Sequence, residues 1–144
     1  MLKTLSWVGL LVMIAALVGL YLIGSLFSSH PLVIALQVGA VLLMLWARIT
    51  FGLRSFHATA NPTAGGLVTS GPYRYIRHPI YTAACLFGWA GILAHASAAS
   101  IALGVVLLAG GLVRMLGEER LVAETYPEYG EYARRTKRMI PFVF

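Results

Sequence analysis

The sequence predicts an all-α, polytopic membrane protein of about four transmembrane helices, with both termini cytoplasmic and a short C-terminal helical tail. Three observations predict it. Of the 144 residues, 59% are hydrophobic and 11% charged, less than half the share of about 25% charged residues usual in a soluble domain. The apolar residues gather in runs of membrane-crossing length. The charges are segregated: Glu118, Glu119, Glu124, Glu128 and Glu131, the only carboxylate side chains, all fall in the last 27 residues, and the first 117 hold only Lys3, Arg48, Arg54, Arg74, Arg77 and Arg114. An ordinary soluble domain and a disordered chain are excluded.

Leu5 to Phe27 runs 23 residues without a charge. That is too long for a signal-peptide core, and no clear small-residue cleavage site follows, so it is read as the first span. Ser28, Ser29, His30 and Pro31 form a turn, with Pro31 suited to open a helix. Pro31 to Ala47 is the second span, continuing as helix to about residue 56. Asn61-Pro62, Gly65-Gly66 and Gly71-Pro72 mark a loop. Pro79 to about His95 is a short third span, Ala96 to Ala99 a turn, and Ser100 to Leu116 the fourth span. Arg114, near its end, is expected to snorkel to the headgroups. From Gly117 the helix continues until Pro127 breaks it, and a basic stretch follows.

Four spans place both termini on one side with the long loop and the tail. That side then holds all 11 Lys and Arg, and the two short turns opposite hold none, so the positive-inside rule assigns it to the cytoplasm. The net charge of +6 reads as this asymmetry and not as nucleic-acid binding. Ala15/Gly19, Ala35/Gly39 and Ala84/Gly88 have the spacing that lets membrane helices approach, and Gln37 suits an interhelical hydrogen bond. The single Cys85 is a packing residue; with it and four scattered histidines, no metal site is expected.

The first three spans hold no charge inside them and the bundle has no buried acidic residue, which argues against an ion pump. Polar chemistry collects instead in Gly71-Pro72-Tyr73-Arg74-Tyr75-Ile76-Arg77-His78-Pro79-Ile80-Tyr81, entering the third span, and in Glu118-Glu119-Arg120, leaving the fourth. The two spans form a hairpin, so these ends should be neighbours. An interfacial belt of Tyr and Arg accounts for the composition, but not for the rigidity of residues 71–79. Nor does it explain two adjacent glutamates, which repel at a low-dielectric edge unless a cation meets them.

Arg77-His78-Pro79-Ile80-Tyr81 followed by Glu118-Glu119 resembles the Arg-His-Pro-x-Tyr … Glu-Glu signature of the isoprenylcysteine carboxyl methyltransferase and phospholipid methyltransferase group of integral-membrane enzymes. Residues 67–74 resemble the lead-in of that group. Its C-terminal pattern is resembled by Tyr126-Pro127-Glu128-Tyr129-Gly130-Glu131-Tyr132 with Arg134, Arg135 and Ile140-Pro141. Ala83 stands where such signatures often carry glycine. The resemblance implies one methyltransferase-like unit over 1–144, residues 1–56 supplying two N-terminal spans and 57–144 a half that binds S-adenosylmethionine and releases S-adenosylhomocysteine. It implies methyl transfer to a lipophilic small molecule or lipid: first to a carboxylate oxygen, next to a phospholipid amine.

On this resemblance, Glu118 or Glu119 holds the cofactor ammonium while the other pairs with Arg77, Arg114 or Arg120. Arg77 binds the cofactor carboxylate or fixes a glutamate, and His78 hydrogen-bonds the cofactor or acts as base. Pro79 sets where Arg77 and His78 point. Tyr73 and Tyr81 offer rings to the adenine or the sulfonium. Arg74, Arg54 or Arg114 positions an anionic acceptor, with Arg74 and His78 the catalytic candidates. His57 is read as a solvated loop residue. The run 134–138 is read as binding anionic headgroups, with closure over the cofactor as its alternative. The expected partners are membrane lipids and the acceptor, with self-association left open. A nicotinamide-dependent membrane reductase and a non-catalytic membrane scaffold are the competing readings.

Overall fold

A computed structural model of the chain describes residues 2–52 and 66–144. Arg54, His57, Asn61-Pro62 and Gly65 lie outside the described residues. The described chain forms α1 (Leu2–Leu22), α2 (Pro31–Phe51), a 3-10 turn (Gly71–Arg74), α3 (Pro79–Ala94), α4 (Ala98–Thr125) and α5 (Tyr129–Arg135). Helices α1, α2 and α4 are long and apolar enough to cross a membrane. Helix α3 has 16 residues, which at about 1.5 Å per residue falls short of a hydrocarbon core about 30 Å thick. The fourfold helical bundle agrees with the sequence expectation. Among the described residues there is no strand, and one isolated parallel bridge pairs Ile76 with Lys137.

The helices are apolar all round, so residue size and not polarity selects the buried face. On α1 the buried stripe is Ser6, Gly9, Met13, Ala16 and Leu20, spaced three or four apart, while Leu11, Val18 and Leu22 face outward. This stripe lies on α4; α4 also packs on α3, and α3 on α2. The α1–α4 crossing is closest at Gly9 and Gly110, where a Cβ on either would come within 2.8 or 2.9 Å of the other's carbonyl oxygen. The sequence expectation did not single out this pair. Of the pairs it did, Gly88 meets Leu107 and Gly19 meets Leu103, but Gly39 has open space around it.

The element ends follow local chemistry. Helix α1 stops at Leu22, five residues before the expected Phe27, because Gly24 takes φ +70° and lets Ser25 N–H close on Leu20 O at 2.8 Å. The turn then packs on α3, where a Cβ at Gly91 would overlap the Leu26 carbonyl. His30 caps α2 through Nδ1, which accepts from Leu32 N, and Pro31 opens the helix. Gln37 spans α2 to α3, donating to Leu26 O at 2.7 Å and to Phe87 O at 3.3 Å, as expected of a lone amide. Ser97 and Ser100 form a reciprocal capping box at the start of α4. Cys85 is buried beside Met13, Ala16, Leu107, Met115 and Met139. Gly110→Val is expected to overpack the α1–α4 crossing at about 1–3 kcal/mol, lowering the thermal unfolding midpoint in detergent, while Gly39→Ala leaves it unchanged or slightly higher.

Candidate active site

The site is assembled by three segments: the lead-in to α3, the end of α4 and the strand-like tail after α5. In the lead-in, Gly71 has φ +55° and sits so close to α2 that a Cβ would strike the Thr50 hydroxyl. Pro72 stiffens the 3-10 turn, whose carbonyl accepts from Tyr75 and Ile76 N–H at 3.1 Å. Tyr73 is buried, its ring 5.5 Å from that of Phe51. The chain then extends beside the tail: Arg77 N–H donates to Lys137 O at 2.7 Å, His78 N–H to Arg138 O at 3.0 Å, and Lys137 N–H to Tyr75 O at 3.2 Å. His78 is the N-cap of α3 and Pro79 its first residue, where a missing N–H costs nothing. The side-chain directions of Arg77 and His78 are thereby set by backbone contacts on both sides.

Successive residues on α4 point about 100° apart, and Glu118 and Glu119 accordingly meet different partners. Glu119 Oε1 accepts from Arg77 Nε at 2.9 Å and lies 3.2 Å from His78 Nε2. Its Oε2 is 3.1 Å from both Nε and Nη2 of Arg138. Arg77 is anchored in turn by Nη1, which donates to Thr136 O at 2.6 Å and Ala133 O at 3.0 Å. Glu118 Oε1 accepts from the Tyr81 hydroxyl at 2.6 Å and lies 3.2 Å from Arg114 Nη2. Arg114 also donates through Nε to the Tyr81 hydroxyl and through Nη1 to Ser6 O of α1, the latter at 3.0 Å. His78 stands between the two carboxylates, its Nδ1 3.9 Å from Glu118 Oε2. Glu118 is the more open of the pair, with 21% of its side chain exposed against 12% for Glu119.

Three tyrosines outside the spans keep their protons. Burial foremost raises Tyr132, to about 12, with Glu119 adding to the rise and Arg77 opposing it. Burial likewise raises Tyr73, helped by Tyr132 and Glu118, and Tyr129, helped by Glu119. They stay hydrogen-bond donors, and Tyr132 uses its proton on Tyr73 O at 2.8 Å.

The structure therefore brings Arg77, His78, Tyr81, Glu118 and Glu119 into one network, with Pro79 setting its angle and Tyr73 joined through its carbonyl. Arg74 is exposed and outside this network among the described contacts, and Arg120 is also exposed. Arg114 does not snorkel. It is 4% exposed and turned inward, because Tyr81, Glu118 and the Ser6 carbonyl together satisfy a guanidinium that lipid cannot. Arg138, Thr136 and Tyr129 were not singled out as site residues. The signal lay in Thr136 and Met139, both buried, which interrupt and end a basic run that a wholly solvated face would not interrupt. His30 and His95 bond Leu32 N and Phe27 O at the opposite end of the bundle. Among the described residues no three of His, Cys, Asp and Glu gather as a metal site.

The described chain is a helical bundle whose Arg-His-Pro-x-Tyr segment is locked onto a Glu-Glu pair. Residues 28–129 match the family model described as phospholipid methyltransferase, and the chain belongs to that family. Among curated proteins it is similar to the cobalt-zinc-cadmium resistance protein CzcN of Cupriavidus metallidurans, 42% identical over 79 residues, or 52% of this chain and 35% of that protein. It is also similar to the nickel-cobalt-cadmium resistance protein NccN of Alcaligenes xylosoxydans xylosoxydans, 39% identical over 80 residues, or 52% and 36%. The matched region thus spans about a third of the length of these relatives. No solved structure matches the chain.

Removing the Glu119 carboxylate strands Arg77, whose side chain is 9% exposed. Glu119→Ala is expected to cost about 3–5 kcal/mol, the usual penalty for orphaning a buried charge. Glu124→Ala, on the exposed side of the same helix, should leave the unfolding midpoint in place.

Proposed function

We propose that the protein transfers a methyl group from S-adenosylmethionine to a lipophilic acceptor, with the cofactor bound on the cytoplasmic face between the lead-in to α3 and the end of α4. The observation that carries this reading is the division of labour between the two glutamates. Glu119 is occupied by Arg77, Arg138 and His78. Glu118 leaves 21% of its side chain exposed, and its Oε2 lies 3.9 Å from His78 Nδ1 while Tyr81 and Arg114 hold Oε1. A carboxylate oxygen so placed fits an ammonium group.

S-adenosylmethionine supplies a methyl group on a sulfonium. Around it, Glu118 holds the ammonium, and His78 takes a hydrogen bond beside it. The Tyr81 hydroxyl is fixed by Arg114 and Glu118, and its ring, with the Arg114 guanidinium 5.7 Å from its centre, is a surface that attracts cations, while Tyr73 packs on Phe51. Arg77 acts by fixing Glu119, and Pro79 by fixing the start of α3. Holding the acceptor in line with the methyl carbon is the main contribution the residues make, and orientation of this kind is worth about 7–11 kcal/mol.

A carboxylate acceptor is ionised already and needs only a cation to place it. The excess of guanidinium groups over carboxylates in the network (Arg77, Arg114 and Arg138 against Glu118 and Glu119) favours that chemistry, with Arg74 at the exposed edge to receive the acid. The family match favours the second chemistry, an amine of a phospholipid headgroup. There a proton must leave the nucleophile, and His78, flanked by two carboxylates, is the base.

S-adenosylhomocysteine is expected to raise the unfolding midpoint of the purified protein, and Glu118→Gln and His78→Ala to weaken that effect at least tenfold in ligand concentration. Stabilisation by a nicotinamide, or by neither ligand, would refute the proposal. Incubating membranes with a methyl-labelled donor identifies the acceptor class: label released by mild alkali as volatile methanol marks a methyl ester, and label that stays non-volatile marks an amine.

A further inference from the structure

From the tail that closes the site, we infer that the turn after Met139 is an interfacial anchor, docking in the anionic leaflet of the bilayer and bracing Arg138 against Glu119. The tail enters the bundle at Met139, which is buried among Met13, Cys85 and Met115. The Thr82 hydroxyl, one turn inside α3, donates to Met139 O at 3.0 Å. This places residue 139 at the depth where the apolar bundle begins. The next residues turn outward from that level. Ile140 is 53% exposed, Phe142 88% and Val143 72%. Phe142 and Val143 are among the most exposed large apolar side chains of the described residues, and water contact on this scale is unfavourable.

The turn is also built to enter an apolar medium. Most of its N–H donors are paired internally: Met139 N–H and Ile140 N–H donate to Phe144 O at 2.7 Å, and Val143 N–H and Phe144 N–H donate to Ile140 O at 3.2 and 3.1 Å. Each donor paired in this way is one fewer to strand in an apolar medium. Phe142 adopts φ +65°, which turns its ring outward at the cost of an unusual backbone conformation. The flanking residues supply the matching charge. Arg134, Arg135 and Lys137 are exposed, and Glu131, paired with Arg135, leaves the patch positive. Basic side chains next to an inserted apolar group bind anionic headgroups, at about 1 kcal/mol each near the surface.

The opposite face of this segment is the site itself. Arg138 holds Glu119, Thr136 O holds Arg77, and Arg138 lies 5.6 Å from the Phe144 ring. Lipid contact on one side and the Glu119 network on the other therefore belong to one rigid stretch of nine residues, 136–144. The docking stands apart from the cofactor reading, and its test does not depend on turnover.

The test is nitroxide accessibility. A spin label at Val143→Cys, in a Cys85→Ala background, is measured in bilayers containing phosphatidylglycerol against oxygen, which partitions into lipid, and a nickel chelate, which stays in water. Oxygen contact is expected to exceed nickel contact several-fold, with the same label at Arg135→Cys reading the reverse. Adding Phe142→Ser should cut the ratio at Val143→Cys by more than half. Nickel contact exceeding oxygen contact at Val143→Cys would overturn the anchor. A ratio unchanged when phosphatidylcholine replaces phosphatidylglycerol would overturn the assignment of Arg134, Arg135 and Lys137 to anionic headgroups.

Discussion

The Glu119 carboxylate is the point on which the inner end of the bundle depends. A lone anion at the edge of an apolar helix carries a heavy desolvation penalty, recovered only if cations and donors surround it. Here they come from positions far apart in the chain: Arg77 and His78 before α3, and Arg138 after α5. Meeting the needs of one carboxylate therefore ties three segments together. The parallel pairing of residues 75–78 with 137–138 makes the tie rigid, since backbone bonds leave no rotamer freedom to absorb a misplacement.

Glu118, one residue earlier, has a different environment from the same helix geometry. It faces α3 and α1 through Tyr81 and Arg114 and stays partly exposed. Two like charges side by side would repel, and the helix resolves this by turning each toward its own guanidinium. One carboxylate is enclosed by its partners, and the other keeps the larger exposure.

Much of this was legible in the sequence because membrane proteins reveal their spans through composition. The four helices, the hairpin of α3 and α4, the meeting of Arg77 and His78 with Glu118 and Glu119, and the bridging role of Gln37 all follow from charge placement and topology. The failures have physical causes. Arg114 reads as a snorkelling residue because sequence shows a cation near a helix end and not the carbonyl of Ser6 beside it. The Gly9–Gly110 contact was invisible because each glycine is ordinary on its own helix, and the close approach exists only in the pair. Arg138 was hidden in a basic run whose members look alike until Thr136 and Met139 turn inward. Phe27 and its neighbours stay apolar after the helix has stopped at Leu22, so hydropathy overshoots an end that Gly24 decides.

The contribution of α1 to the site is a main-chain oxygen, Ser6 O, presented to Arg114 across a glycine crossing. Every residue type carries that atom, so position 6 demands closeness and tilt, and the demand on identity falls on Gly9, where a Cβ would strike the Gly110 carbonyl. The family match begins at residue 28, after α1 has ended. A strut that works through its backbone leaves little trace for a sequence pattern to register beyond the small residue that lets it come near.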